Sequence, residues 1–292
     1  MKYTYYPGCS LEGTAREYDL STRAVLAALG VELVELSDWT CCGATAAEGI
    51  SSLLALSLAA RNLALAESRD HPLDILVPCS ACYLNLKNAE IKAHEDPQVR
   101  NRVNEVLAVE GRTWQGRTRV KHLLEVLSRD LGAESVRKLV KTKLTGRRLA
   151  PYYGCQCLRP HAVFDDPEQP TSMEPLLGAL GAEIHDWGMG GRCCGASHMT
   201  TKPEVALTLV DAILSQAVGA DAIVTVCPMC QMNLEAYQDK ISRKAGTDLR
   251  ITVIYLPQLI GLALGLTEAQ LRLKLNLAVH GSFLDNIQAS PS

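Results

Sequence analysis

An α/β fold written twice is what this sequence predicts: two duplicated cysteine-rich domains, each a small parallel sheet with helical crossovers, related by pseudo-two-fold symmetry. Two observations carry the prediction. First, three blocks recur in the same order at an offset of about 150 residues. "YYPGC" (Tyr5 to Cys9) returns as "YYGC" (Tyr152 to Cys155), "ALGVELVELSDWTCCGA" returns as "ALGAEIHDWGMGGRCCGA", and "DILVPCSACYLNL" (Asp74 to Leu86) returns as "AIVTVCPMCQMNL" (Ala222 to Leu234). Second, short β-rich runs alternate with longer helical patterns inside each copy, the signature of strands joined by crossover helices.

Taken in order, β-rich runs fall at Lys2 to Tyr6, Val31 to Leu36 and Ile75 to Val77, with helical patterns at Arg16 to Leu29 and Ser51 to Ala66. The segment Ala89 to Leu144 reads as helical and polar, broken by the turn-like "EDPQ" and "EGRTWQG". A boundary near Gly146 divides the chain into domains 1–145 and 146–292. The second copy repeats the pattern, with strands near Leu149 to Tyr153, Ala182 to His185 and Ala222 to Val226. Its helices lie near Pro175 to Leu180 and Glu204 to Val218. A further β-rich run, Ile251 to Tyr255, precedes one or two packing helices, and "DNIQASPS" is expected to be a loose tail.

The 292 residues are 47% hydrophobic, enough to fill a sizeable core. Lysine plus arginine (29) nearly balance aspartate plus glutamate (32), which leaves no broad basic field for nucleic acid or anionic lipid. The most apolar stretch, "GISSLLALSLAARNLALA" (Gly49 to Ala66), carries Arg61, Asn62 and three serines, so it reads as a packed helix and no membrane span is expected. The opening "MKYTYYPGCS" lacks the features of a signal peptide, and a cytoplasmic location is expected. In such a reducing compartment, 11 cysteines point to metal or redox work rather than structural disulfides.

Ten of those cysteines form two matching sets. Cys9 is followed after 31 residues by Cys41 and Cys42, and after 36 more by Cys79 and Cys82. Cys155 is followed after 37 residues by Cys193 and Cys194, and after 32 more by Cys227 and Cys230. Each group comes shortly after an expected strand, which would gather five thiols at the carboxyl edge of each sheet, where α/β folds place their ligands. Cys79 and Cys227 also precede expected helices, whose N-terminal N–H groups favour thiolates and the sulfides of a cluster. Adjacent cysteines diverge and serve one tetrahedral ion poorly, but they can engage different metals of a larger cluster. Iron–sulfur binding is therefore favoured over structural zinc and over metal-free thiol or disulfide chemistry. No G-x-G-x-x-G dinucleotide fingerprint and no flavin motif is present, so electrons must arrive from elsewhere.

At these residues the chain resembles the cysteine-rich CCG-domain family, and within it the B subunits of heterodisulfide reductases. The two five-cysteine signatures, with "YYGCQCLRP", "FDDPEQPTSMEPLLGALGAEIHDW" and "CCGASH" in the second half, extend the resemblance over nearly the whole chain. It implies two noncubane [4Fe-4S] clusters, one on Cys9, Cys41, Cys42, Cys79 and Cys82, the other on Cys155, Cys193, Cys194, Cys227 and Cys230. It further implies reductive cleavage of a small disulfide of the coenzyme M–coenzyme B type between the clusters. The implied partners are a small cubane iron–sulfur subunit and a flavin subunit. Related subunits accompany lactate or glycolate oxidases, an unusual succinate dehydrogenase and sulfur-oxidising heterodisulfide-reductase-like complexes. Electron relay is therefore the alternative to catalysis, and completeness of both cysteine sets favours catalysis.

Arg159, Arg192 and His198 are candidates for pairing with an anionic substrate or delivering protons. Cys157 lies outside both patterns and is expected as a small buried side chain. Asn85 and Asn233 are expected as ordinary polar helix positions, and Trp39 and Trp187 as packing residues.

Overall fold

The computed structural model describes residues 1–44 and 46–288. Strands β1 (Lys2–Tyr5), β2 (Glu32–Glu35), β3 (Ile75–Val77) and β4 (Val120–His122) form one all-parallel sheet in the order β2-β1-β3-β4. Strands β5 (Arg148–Tyr152), β6 (Glu183–Ile184), β7 (Ala222–Thr225) and β8 (Thr252–Tyr255) form a second, in the equivalent order β6-β5-β7-β8. In each, the chain steps from the first strand to the edge and then returns to its other side. That reversal puts a switch point between β1 and β3, and again between β5 and β7, where open α/β sheets leave a crevice beyond their carboxyl ends.

Buried on every residue, β3, β7 and β8 are the continuous apolar runs that a parallel sheet covered on both faces requires, whereas the edge strand β6 is exposed. The apolar stretch at Gly49 to Ala66 forms the helix Ser52–Glu67, opened by the Ser51 hydroxyl, which accepts from the Leu54 N–H. No helix among the described residues is long and apolar enough to cross a membrane.

Strand β4 corrects the expectation of an all-helical Ala89 to Leu144. That segment holds the end of the helix Ser80–Glu95 and the helix Pro97–Leu107, but Val120–His122 leaves it to pair with β3. Three residues with a lysine at the centre carry too little alternation to be seen, and it is pairing with the buried β3 that makes them a strand. The expected tail is also revised, because Asp285 to Gln288 belong to the helix Gly281–Gln288; residues 289–292 lie outside the described residues.

One hydrophobic core runs through both sheets, from Tyr5, Ile75 and Leu76 to Val224, Ile254 and Leu259. The helix Arg16–Ala28 turns Tyr18, Thr22, Val25 and Leu26 inward and packs against the helices Leu256–Ala263 and Glu268–Leu271 of the second half. Tyr18 is the clasp. It is fully buried, stacks on Tyr255 with ring centroids 4.1 Å apart, and places its hydroxyl 3.1 Å from the Pro78 carbonyl and 3.0 Å from that of Val226. A second cross-half stack, Phe164 on His122 at 6.0 Å, completes a pseudo-symmetric pair. His122 and Tyr255 occupy the same sheet position, opposite Val77 and Thr225 respectively.

Replacing Tyr18 with Phe should lower the unfolding free energy by about 1–2 kcal/mol, because two buried carbonyls lose their shared donor. Tyr18→Ala should cost about 3–5 kcal/mol. Urea unfolding of the full chain measures both, and an unchanged midpoint in Tyr18→Ala would show that the halves are not held together here.

Candidate functional site

Every strand that precedes a cysteine group delivers it to the carboxyl edge. Cys9 follows β1, the Cys41–Cys42 doublet follows β2, and Cys79 and Cys82 follow β3; Cys155, the Cys193–Cys194 doublet, and Cys227 with Cys230 follow β5, β6 and β7 in the same way. All 11 cysteines are free thiols.

Within the first half the five thiols make a chain of contacts: Cys9 to Cys41, Cys41 to Cys42, Cys42 to Cys82 and Cys82 to Cys79. The Cys42 and Cys82 sulfurs are 3.3 Å apart. The second half repeats the pairs Cys155–Cys193, Cys194–Cys230 and Cys230–Cys227, with the Cys194 and Cys230 sulfurs 3.5 Å apart. Cys42, Cys79, Cys82, Cys194, Cys227 and Cys230 are buried, while Cys9, Cys41 and Cys193 reach the surface.

Backbone and neighbouring side chains hold this arrangement alike in both halves. Gly8 (φ +73°) and Gly154 (φ +70°) sit where a Cβ would meet the Cys82 sulfur at 2.8 Å and the Cys230 sulfur at 3.0 Å, so only glycine brings the first loop so near the last cysteine. After each doublet the glycine N–H donates back to sulfur, Gly43 to Cys41 at 3.5 Å and Gly195 to Cys193 at 3.3 Å. Asn85 Nδ2 donates to the Cys42 carbonyl at 3.1 Å, and Asn233 Nδ2 to the Cys194 carbonyl at 2.7 Å. The two asparagines therefore fix the doublets and are not ordinary helix polar positions.

The tyrosines three residues before the first cysteine were not singled out by motif reading, although the repeated "YY" was the available signal. Tyr6 donates its hydroxyl to the Thr40 carbonyl and Tyr152 to the Arg192 carbonyl, each at 2.7 Å and each to the residue just before a doublet. Trp39 and Trp187 pack against these rings, at centroid distances of 5.4 and 6.2 Å. In the first half, buried Asn62 adds a pair of bonds to the Thr40 backbone, a contact between residues 22 apart that no spacing rule reveals.

The electrostatics are those of crowded sulfur. Hydrogen bonding from Cys155 draws the Cys193 thiol down to about 6, helped by the charges of His198 and Arg159, while the Cys155 thiol is pushed up. Cys227 falls to about 7 through its bond with Cys230 and the Met229 and Cys230 N–H groups, the helix N-terminal effect expected there. Cys82 and Cys230 are driven up by the neighbouring sulfurs and by burial. In the pairs Cys42–Cys82, Cys155–Cys193 and Cys227–Cys230 one thiol is drawn down while its partner is pushed up, so full ionisation of a set needs a compensating positive body. Among the described residues no group of three or more His, Cys, Asp or Glu side chains is arranged to hold a metal ion. Five thiols gathered at one sheet edge, drawn tight over a glycine, suit a body with several metal centres and its own sulfides, which spreads its ligands apart.

Arg159 is committed to the fold: its guanidinium donates to the Pro167 and Gly191 carbonyls and to Glu168. Arg192 and His198 are exposed, on either side of the second doublet. Cys157 is buried, as expected, with its thiol 3.2 Å from the Tyr153 carbonyl.

Comparison with known proteins matches this geometry to a family. The cysteine-rich domain family CCG matches twice, at residues 3–87 and 149–235. The 8-methylmenaquinol:fumarate reductase membrane anchor subunit of Wolinella succinogenes is 36% identical, over 94% of this chain and 96% of that one. A protein of Archaeoglobus profundus described as like the heterodisulfide reductase B subunit is 31% identical over 91% of each chain. The B subunit of a ferredoxin/F420H2-dependent CoB-CoM heterodisulfide reductase of Methanosarcina acetivorans is 30% identical over 98% of this chain and 97% of that one. In structure, a hypothetical protein from Helicobacter pylori superimposes with a TM-score of 0.76 over 96% of this chain at 16% identity, this chain spanning 52% of that one; it shares the fold. With both cysteine signatures matched and relatives aligned along almost its full length, the chain belongs to the cysteine-rich CCG-domain family, among the relatives of the heterodisulfide reductase B subunits.

Proposed function

We propose that this chain is the disulfide-reducing subunit of a heterodisulfide-reductase-like complex, with one noncubane [4Fe-4S] cluster in each of the halves 1–145 and 146–292. The observation that carries the reading is that both five-thiol sets are complete and are built on the same supports. Cys9, Cys41, Cys42, Cys79 and Cys82 hold the first cluster, and Cys155, Cys193, Cys194, Cys227 and Cys230 the second. Bound there, the clusters supply one electron each, which meets the two-electron demand of opening an S–S bond without releasing a thiyl radical.

The chain's own residues set the conditions. The buried inner thiols keep water away, while surface-reaching Cys9, Cys41 and Cys193 mark the side from which a small disulfide approaches. Arg192 and His198, exposed beside Cys193, give that mouth positive charge and a proton carrier for an anionic substrate. Arg159 acts from behind, by holding the Gly191 carbonyl and adding its charge. A small cubane iron–sulfur subunit and a flavin subunit are the electron-supplying partners, in the cytoplasm.

The 36% identity to a fumarate reductase membrane anchor subunit favours a second reading, in which the same chain relays electrons between partners. The two readings separate in one assay. Anaerobically purified complex should reduce coenzyme M–coenzyme B heterodisulfide or another small disulfide; turnover of none, with the cysteine sites still reducible by a quinol, would replace catalysis by relay.

Metal analysis of the anaerobic protein should find about eight irons per chain with matching sulfide, and one zinc per chain would overturn the assignment. Gly8→Ala should remove about half of that iron and Gly154→Ala the other half, because each side chain displaces a sulfur in its own set. Gly30→Ala is the control. It has φ +74° with nothing within 4 Å of the added carbon, and should retain full iron.

A further inference from the structure

Two neighbours on one helix grip the loop that carries the first doublet. Arg61 and Asn62 follow each other on the helix Ser52–Glu67. The Arg61 guanidinium donates to the Asp38 carbonyl at 2.7 Å, to the Asp38 carboxylate at 2.9 Å and to Glu110 at 2.8 Å, while Arg112 donates to the same two carboxylates at 3.1 and 3.3 Å. Buried Asn62 accepts from the Thr40 N–H and donates to the Thr40 carbonyl. Asp38 and Thr40 are thus both fixed, and Cys41 and Cys42 come next in the chain.

The grip has something to resist. Asp38 has φ +59°, in the left-handed region that a residue with a side chain enters at a cost. Released, it would relax out of that region, and the doublet that begins three residues on would turn with it. Cys42, 1% exposed and 3.3 Å from the Cys82 sulfur, is the thiol that this would bring out.

The second half has no such helix grip. Leu58 and Leu209 each approach the glycine after their doublet, 3.0 and 2.9 Å from where its Cβ would stand, and that alignment sets Ala212 and Ile213 opposite Arg61 and Asn62. There Arg159 holds the loop through the neutral Pro167 and Gly191 carbonyls, with Glu168 beyond them. The first grip closes instead on Asp38 and Glu110, whose side chains are 64% and 48% exposed. Ion pairs at such positions are screened by salt, and bonds to neutral carbonyls far less.

We propose that Arg61 is the positioning residue of the N-terminal sulfur site: it clamps the loop at Asp38 so that Cys42 stays inside against Cys82, and because the clamp closes on exposed carboxylates, this site and not the C-terminal one loosens with salt. The inference rests on the reading of each five-thiol set as one cluster site, and it names what holds the first set in register.

The test reads thiol labelling in the full chain, stripped of iron by a chelator and kept reduced, with iodoacetamide and peptide mapping by mass spectrometry. Arg61→Ala should speed labelling of Cys42 about tenfold or more, since it removes hydrogen bonds to two charged groups, and should leave Cys79 and Cys194 as slow as in the wild type. Arg61→Lys keeps the charge but not the fork, and should label nearer to Arg61→Ala than to the wild type. The wild-type chain carries a test that needs no substitution. Raising the salt from about 0.1 M to about 1 M, which shortens the screening length from about 10 Å to about 3 Å, should speed Cys42 and leave Cys194 unmoved. After anaerobic loading, Arg61→Ala should hold about half the wild-type iron, and the missing electron paramagnetic resonance signal should be the one that Gly8→Ala removes. Labelling of Cys42 that neither Arg61→Ala nor salt changes, or that rises together with Cys79 and Cys194, overturns this inference and leaves the proposed function standing. A wild-type chain that takes up no iron removes the proposed function, while the labelling still decides the clamp.

Discussion

Crowding of sulfur is the constraint on which the molecule depends. Each half brings five thiols together, in one chain of contacts in the first half and as a pair and a triplet in the second, with inner sulfurs as close as 3.3 and 3.5 Å. Several of them cannot ionise in place without a counter-charge. Such a site does not organise itself from side chains alone. The parallel sheets deliver the three loops to one edge, glycines at positive φ let the first loop pass beneath the last cysteine, and asparagine amides and tyrosine hydroxyls fix the doublets by their backbone. The asparagine and tyrosine supports act on carbonyls rather than on sulfur, and only backbone N–H groups such as those of Gly43 and Gly195 donate to the thiols themselves.

The duplication matters because the halves meet at their ligand loops. Tyr18 lies against the carbonyls of Pro78 and Val226, each one residue before a ligand cysteine, so the inner ends of both sites converge on one buried hydroxyl. The buried cysteines of the first set lie in the core that runs through both sheets, and Cys194, Cys227 and Cys230 lie in a second apolar cluster of the C-terminal half. The departures from symmetry, Ser80 against Pro228 and His122 against Tyr255, fall at this junction.

Relatives from different complexes align along nearly the entire chain, one named as a fumarate reductase membrane anchor subunit and another as a heterodisulfide reductase B subunit. The shared part is the sulfur-holding scaffold.

The sequence alone determined the duplication, seven of the eight strands and the two sets of ligand candidates, because the repeats sit at a constant offset and because cysteine spacing survives any detail of packing. It also placed Cys157 in the interior. Strand β4 was hidden, since three residues bearing a lysine become a strand only through pairing with β3. The roles of Tyr6, Tyr152, Asn62, Asn85 and Asn233 were hidden for a related reason: a side chain that anchors a distant carbonyl leaves no periodicity behind. Arg159 looked like a substrate residue and is found bound to loop carbonyls, a distinction that charge pattern does not make. Tertiary structure alone decided the clasp at Tyr18 and the reach of Ser80 to the Val226 carbonyl, because both contacts cross between the halves and only folding brings residues so far apart in the chain within a hydrogen bond.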